Sequence, residues 1–156
     1  MATRKVLRDG DDILRKKSKP VREFDDTLDQ LLDDMWDTMY ANNGMGLAAV
    51  QVGVLRRAII IDVNGLRMEL INPEIIEMEG EDFEEEGCLS VGAFNGVVKR
   101  PYKIKVKAFD RYGFPFTLEG EKWLARCICH ECDHLEGILF TDRCENKAEY
   151  LKKRRG

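Results

Sequence analysis

The feature that most constrains this chain is the segment CHECDHLEGILF, which covers residues 129–140. It contains the chain's only two histidines, His130 and His134, with Glu131 directly after the first. Residues four apart on an α-helix project to the same side, so both imidazoles can bind one metal ion. The carboxylate of Glu131 can then reach a water molecule on that ion. The segment therefore predicts the metal-binding helix of a hydrolase.

The spacing of residues 121–135 indicates where this helix lies in the fold. At steps of four, three and four, one stripe of it carries Trp123, Cys127, His130 and His134. Gly137 follows as a possible C-terminal cap. We therefore expect a C-terminal helix whose buried face carries the histidine pair.

The residues alone leave the third metal ligand open. No further histidine follows, which excludes a site of the metzincin type. A thermolysin-like site needs a glutamate about twenty residues after the second histidine, and Arg154 stands there. The ligand must therefore be a Cys, Asp or Glu from elsewhere.

Five cysteines offer thiols for this role: Cys88, Cys127, Cys129, Cys132 and Cys144. Cys129 and Cys132 point away from the histidine stripe, and Cys127 lies one turn below the first histidine. Cys88 lies in EEEGCLSV, between a glycine and a strand-like apolar segment. Because most buried cysteines are simply small apolar residues, spacing does not decide among them.

Length and charge set the broad class of the chain. Its 156 residues fit a single domain, 1–156, with a hydrophobic core. The net charge of −4 gives no basic field for nucleic acid. The first 17 residues lack the apolar region of a secretory signal, and the longest aliphatic run, residues 58–61, is too short to span a bilayer. We expect a cytoplasmic protein.

Apolar periodicity predicts an α+β fold. Helical spacing from Leu28 to Tyr40 indicates an N-terminal amphipathic helix that ends at Asn42-Asn43-Gly44. Strand-like segments flank Asn64-Gly65, a typical hairpin turn. We therefore expect antiparallel β-sheets packed around the C-terminal metal-binding helix, with the amphipathic helix at the N-terminal side.

Further strand-like alternation occurs in residues 102–110 and 114–118. Between the predicted strands, residues 77–87 are dense in carboxylates, which is typical of a solvated loop or sheet edge. The basic tail KKRRG, residues 152–156, predicts a frayed helix end.

Three segments together resemble the peptide deformylase family. They are GMGLAAVQVG (44–53), EEGCLSV (85–91) and HECDHLEGILF (130–140), in the family's order and approximate spacing. The N-terminal region also looks like that of the family, so the resemblance covers nearly the whole chain. It implies an enzyme that hydrolyses the formamide on the initiator methionine of nascent polypeptides and releases formate.

The resemblance also implies a complete metal site, with Cys88, His130 and His134 as ligands. Three protein ligands leave one position for water, as a catalytic site requires. One thiolate with two imidazoles suits Fe(II), Zn, Ni or Co, and the resemblance points to Fe(II).

The chemistry implied by the family uses three further groups. Glu131 acts as general base while metal-bound water attacks the formyl carbon, and then passes the proton to the leaving amine. The side-chain amide of Gln51 and the backbone N–H of Leu89 stabilise the oxyanion.

The same resemblance implies a substrate pocket. Met45 and Gly46 contact the substrate backbone on one side, and Gly87 contacts it on the other. Trp123 and Cys127, with Met45, are candidates for the apolar pocket that takes the methionine side chain.

The chain departs from the family pattern at three positions near the site. Gly92 and Lys99 stand where proline is common, which loosens a predicted loop over 92–99 and affects substrate entry. Cys129 stands where glutamine is common. None of these positions is an implied ligand, base or oxyanion donor, so we expect an active enzyme.

Three other hypotheses are compatible with parts of the sequence. One is a different metal amidase or peptidase on the same site. Another is a closed structural zinc module built from Cys127, Cys129, Cys132 and the histidines, although these thiols scatter around a helix axis. The third is an inactive protein docked to the ribosome through its basic tail. We expect a monomer with at most a weak ribosome contact through that tail.

Overall fold

The N-terminal part of the molecule contains helix α1, Asp26–Ala41, whose apolar face packs against buried residues that include Leu47, Ile60 and Ile71. The structure is a computed structural model and describes residues 2–155. The carboxylate of Asp25 caps α1 by accepting a hydrogen bond from the Leu28 N–H at 3.1 Å. Leu32, Met35 and Met39 on α1 are fully buried. The ends of the predicted domain, Met1 and Gly156, lie outside the described residues.

Five strands form one antiparallel sheet: β1 (Gly46–Ala48), β2 (Ala58–Val63), β3 (Leu66–Glu79), β6 (Lys103–Phe109) and β7 (Pro115–Glu121). Neighbouring strands pair in the order β1-β2-β3-β6-β7. Asn64 and Gly65 turn β2 into β3 with φ of 54° and 83°, and this confirms the predicted hairpin. A short 3₁₀ helix, Ala49–Val52, follows β1, and another covers Asp12–Arg15.

A second sheet has two strands, β4 (Asp82–Cys88) and β5 (Gly92–Arg100). The acidic run forms the end of β3 and most of β4, a mostly exposed edge strand, so the expected sheet edge is confirmed, although Glu86 within it is buried at 4% exposure. One expectation fails here. The predicted loop over 92–99 is strand β5, paired with β4 from Asp82↔Arg100 to Cys88↔Gly92. Strand pairing, which the sequence pattern alone does not contain, explains this difference.

Helix α2, Trp123–Leu135, is buried over most of its length. Its Ile128 and Leu135 pack in one core with Ile59 and Ile61 of the central sheet. Gly137 follows α2 with φ +76° and donates its N–H to the His134 carbonyl at 3.1 Å, which confirms the expected cap.

Two short helices complete the chain: α3 (Phe140–Arg143) and α4 (Lys147–Arg155). Tyr150 of α4 is buried against Phe94 of β5, so α4 is tied to the two-stranded sheet. Within residues 2–155, no helix is long and apolar enough to cross a membrane.

Candidate metal and catalytic site

The two histidines of α2 meet the cysteine at the end of β4. The imidazole rings of His130 and His134 have centroids 5.1 Å apart, and the Sγ of Cys88 lies 3.3 Å from Nε2 of His134. One ligand atom from each of the three residues lies within 4.8 Å of the other two. The fold thus brings one thiol together with two imidazoles that lie 42 and 46 residues further along the chain.

The donor set fits a divalent transition metal ion. One thiolate and two neutral imidazoles are ligands that Fe(II), Zn, Co and Ni accept. Nδ1 of His130 is engaged by Glu86, which leaves its Nε2 free for an ion. Burial, followed by the charge of His130, holds the pKa of His134 well below its usual value. At His130 burial is outweighed by hydrogen bonds to Cys88 and Glu86, which raise its pKa, so binding of an ion would have to release the proton from this imidazole.

Glu86 is the centre of a buried ion-pair network behind His130. Its Oε1 lies 2.8 Å from Nδ1 of His130. Arg100 donates two hydrogen bonds to its carboxylate, at 2.9 and 3.0 Å, and Arg126 donates one at 2.6 Å. Burial alone would raise the pKa of Glu86, but hydrogen bonds from His130 and Arg100 lower it to about 2. The carboxylate is therefore ionised and orients the imidazole.

Sequence reasoning missed this network. Arg126 lies on α2 and is only 1% exposed, and it also donates to the carbonyls of Val98 and Asp82. Arg100 bridges Glu86 to Asp133, 2.6 Å away. The available signal was the position of Glu86 two residues before Cys88 on a strand, which puts both side chains on one face.

Glu131 lies beside the donor cluster and is buried. Its Oε1 has no hydrogen-bond partner among residues 2–155. A Cβ at position 46 would lie 2.6 Å from its Oε2, so only glycine allows β1 to approach this carboxylate. Burial raises the pKa of Glu131 to about 7, against the opposing charge of His130. A carboxyl group with this pKa suits proton transfer near neutral pH.

Gln51 is held with its amide N–H₂ facing the cysteine. Its Oε1 accepts the Ala48 N–H at 3.0 Å, which fixes which end of the amide points outward. Its Nε2 donates to the Ser90 hydroxyl at 3.1 Å and lies 3.6 Å from Cys88 Sγ. Ser90, which sequence reasoning did not single out, is fully buried and positions this amide.

A cavity of about 470 Å³ opens over these groups. It is lined by all five residues expected to bind substrate, which are Met45, Gly46, Gly87, Trp123 and Cys127. Gln51, Leu89 and Glu131 line the same cavity. The expected substrate and catalytic residues therefore share one concave site. Asn43 and Arg8 also line it and were not anticipated.

The remaining thiols do not join the donor cluster. Burial raises the pKa of Cys127 to about 12 and that of Cys129 to about 11, so both remain protonated thiols. Within residues 2–155, the donor group that could hold an ion includes neither of them, nor Cys132. This arrangement does not fit the closed zinc module.

Comparisons with known proteins agree with this geometry. The sequence model of a family described as Polypeptide deformylase matches residues 3–150. The peptide deformylase of Caldicellulosiruptor bescii is 59% identical over 143 residues, 92% of this chain and 86% of that protein. That of Acetivibrio thermocellus is 57% identical over 143 residues, 92% of this chain and 84% of that protein.

Solved structures are similarly close. A peptide deformylase from Legionella pneumophila superposes with a TM-score of 0.93 at 46% identity, covering 98% of this chain and 92% of that one. A peptide deformylase from Synechococcus elongatus in complex with actinonin superposes with a TM-score of 0.90 at 42% identity, covering 94% and 81%. These similarities confirm the predicted class of helices packed with antiparallel sheets.

Proposed function

This chain belongs to the polypeptide deformylase family, and we propose that its catalytic centre is the cavity over Cys88, His130 and His134. The enzyme is a metal-dependent hydrolase that removes the formyl group from the N-terminal methionine of nascent polypeptides and releases formate. The observation that carries the site assignment is the convergence of three donor atoms, within 4.8 Å of one another, in a cavity that also exposes Glu131.

In this proposal the three donors hold one divalent ion, Fe(II) in the cell, with Zn, Ni or Co as alternatives. When bound, the ion supplies Lewis-acid activation of a water molecule and of the formyl oxygen. His130 contributes through Nε2 because Glu86 occupies its Nδ1. With Fe(II) held beside the Cys88 thiolate, the enzyme would be sensitive to air, because oxygen oxidises Fe(II) to Fe(III).

Glu131 is the general base and then the general acid. Its buried carboxylate, close to the backbone of Gly46, takes the proton of the attacking water and delivers it to the amine of the leaving methionine. A carboxyl pKa raised to about 7 allows both steps at neutral pH.

Gln51 and Leu89 stabilise the oxyanion. The Gln51 side-chain amide is oriented by Ala48 and Ser90, so its N–H that faces Cys88 is directed to where charge develops on the formyl oxygen. The backbone N–H of Leu89, one residue beyond Cys88, is the second donor in this proposal.

The peptide lies between β1 and the end of β4. Met45 and Gly46 contact its backbone from one side and Gly87 from the other, and all three line the cavity. Trp123 and Cys127 form the apolar wall that receives the methionine side chain. The thiol of Cys127 remains protonated and so behaves as a small apolar group.

We place this activity in a single catalytic domain over residues 1–156, acting as a monomer in the cytoplasm on emerging chains. The basic C-terminal tail makes at most a weak contact with the ribosome. The net charge of −4 supports a small role for charge in that contact.

The test is formate release from a short formyl-Met peptide by protein purified without oxygen and loaded with Fe(II). Cys88→Ala and Glu131→Gln are assayed alongside, with metal content measured for each. We expect Cys88→Ala to lose metal and activity, and Glu131→Gln to keep metal and lose activity. Full turnover by Glu131→Gln would overturn the assignment of the base.

An acetyl-Met peptide and an internal peptide bond are assayed as competing substrates. Preferential cleavage of either one would favour a different metal amidase built on the same site.

A further inference from the structure

Three consecutive residues near the N-terminus make hydrogen bonds to the chain segments that carry the two proposed oxyanion donors. We call residues 7–9 the N-terminal brace. The Leu7 N–H donates to the Gln51 carbonyl at 2.7 Å. The Arg8 guanidinium donates to the Leu89 carbonyl at 3.3 Å. The brace therefore joins two chain segments that lie 38 residues apart in sequence.

Asp9 supplies the third contact and anchors the brace. Its backbone N–H donates to the Ser90 carbonyl at 2.8 Å. Its carboxylate is buried, at 7% exposure, and accepts hydrogen bonds from the Tyr150 hydroxyl and, at 3.2 Å, from Arg154. Tyr150 and Arg154 both lie on α4. This helix therefore fixes Asp9, and Asp9 in turn is bonded to Ser90 in the turn between β4 and β5.

The turn between β4 and β5 depends on such support. Within the turn, one backbone hydrogen bond joins the Val91 N–H to the Cys88 carbonyl at 3.0 Å, and Gly92 follows with φ +88°, a conformation that favours glycine. A cavity of about 340 Å³ separates Ser90 and Val91 from α4. Hydrogen bonds from the brace therefore tie the backbone of this turn to the N-terminal segment beside the cavity.

The anchor on α4 is well fixed. The Tyr150 ring packs on Phe94 with centroids 5.0 Å apart, and both belong to the buried cluster that Val91 and Cys88 border. Arg15 adds a second cation 3.6 Å from the Asp9 carboxylate. Removing one hydrogen-bond partner of a buried carboxylate costs more free energy than removing one partner of an exposed ion pair.

We propose that Asp9 is a positioning residue for deformylation: α4, through Tyr150 and Arg154, fixes Asp9 so that the brace sets the spacing of Gln51 and Leu89. This inference rests on the proposed roles of those two donors. Asp9 itself lines neither the catalytic cavity nor the donor cluster. It acts on the transition state only, because oxyanion donors bind the developing charge and not the ground state.

The first test compares Asp9→Asn and Tyr150→Phe in the full-length, metal-loaded enzyme. We expect kcat to fall about threefold to tenfold with KM nearly unchanged, less than the loss of a whole donor causes. The double variant should be no slower than the slower single variant, because both remove one contact. Matched controls are Asp12→Asn and Tyr112→Phe, whose side chains are exposed and which should keep parental kcat.

Amide hydrogen exchange gives a reading that does not depend on turnover. In both variants the amides of Leu89 and Ser90 should exchange at least about threefold faster, with β2 and β3 unchanged. Arg154→Gln removes only an exposed partner of Asp9. This variant therefore tests the brace even if Asp9→Asn or Tyr150→Phe fails to fold. It should also speed amide exchange at Leu89 and Ser90 and lower kcat. Unchanged exchange or unchanged kcat in the folded variants overturns the proposal.

Gln51→Ala in the same assay separates two kinds of failure. If Gln51→Ala lowers kcat and Asp9→Asn does not, the brace is wrong and the oxyanion assignment stands. If neither lowers kcat, the oxyanion assignment is wrong and the positioning role of Asp9 falls with it.

Discussion

Nδ1 of His130 lies 2.8 Å from the carboxylate of Glu86, which is itself buried between Arg100 and Arg126. An ionised carboxylate at this position fixes the imidazole tautomer and presents Nε2 to the cavity. It also makes the electron density on the His130 imidazole depend on two arginines that do not belong to the donor cluster.

Glu86→Gln should weaken metal binding about 10- to 100-fold, because an amide orients and polarises the imidazole less than a carboxylate does. Competition with a metal-binding dye measures the affinity. Glu85→Gln, the exposed neighbour on the same strand, is the matched control and should retain parental affinity. Equal affinities for the two variants would contradict the role given to Glu86.

Gly46→Ala should lower kcat about 100-fold, because a methyl group placed 2.6 Å from Oε2 of Glu131 forces the carboxylate away from its position. Metal content should be unchanged, since the nearest atoms to this methyl are those of Glu131 and not of a ligand. A kinetic assay with metal analysis checks both. Parental turnover in the variant would show that the position of the carboxylate is not critical.

Removal of the metal by a chelator should abolish activity and lower Tm without unfolding the chain at room temperature. Saturation at about 100 times Kd stabilises the folded state by about 2.7 kcal/mol. Calorimetry with and without added ion measures this increment. It should vanish in Cys88→Ala and persist in Cys129→Ala, a thiol on α2 outside the donor cluster. Loss of the increment in Cys129→Ala would indicate a different ligand set.

Asp34→Asn should reduce stability at neutral pH but not in acid. Burial would raise the pKa of Asp34, but hydrogen bonds from Arg4 and Gln30 outweigh it and leave the pKa below its usual value. A carboxyl group with a lowered folded-state pKa stabilises the fold above about pH 4, and this contribution is lost as pH falls through the folded-state pKa.

The expected loss for Asp34→Asn at pH 7 is about 1 kcal/mol, or about 2–4 °C in Tm. Thermal melts of parent and variant at pH 7 and pH 3 measure the difference. Asp37→Asn, one turn along α1, serves as control. A gap in Tm that stays constant between the two pH values would contradict the sign of the shift.

Sequence patterns predicted the features that are determined by residues close together in the chain. The histidine pair required only helical spacing, and the Asn64-Gly65 hairpin required only two residues that accept positive φ. The position of Cys88 beside the histidines needed the family resemblance, because spacing could not choose among five thiols.

The buried ion-pair network around Glu86 could not be predicted from short sequence patterns. Glu86 belongs to a run of carboxylates that composition places in solvent, and only its pairing with Arg100 and Arg126 makes burial tolerable. Those partners lie 14 and 40 residues away along the chain. The same long-range pairing turned the predicted loop over 92–99 into strand β5.

The separation of Cys88 from His134 has a consequence for how the protein folds. Cys88 at the end of β4 and His134 in the last turn of α2 are 46 positions apart in sequence, so neither a nascent helix nor a nascent hairpin can present the three donors. Closing such a long loop comes late in folding compared with helix and hairpin formation. Refolding in the presence of Co(II) should therefore develop the thiolate–metal absorption band only when tertiary structure is complete, which would make the ion a reporter of the final folding step.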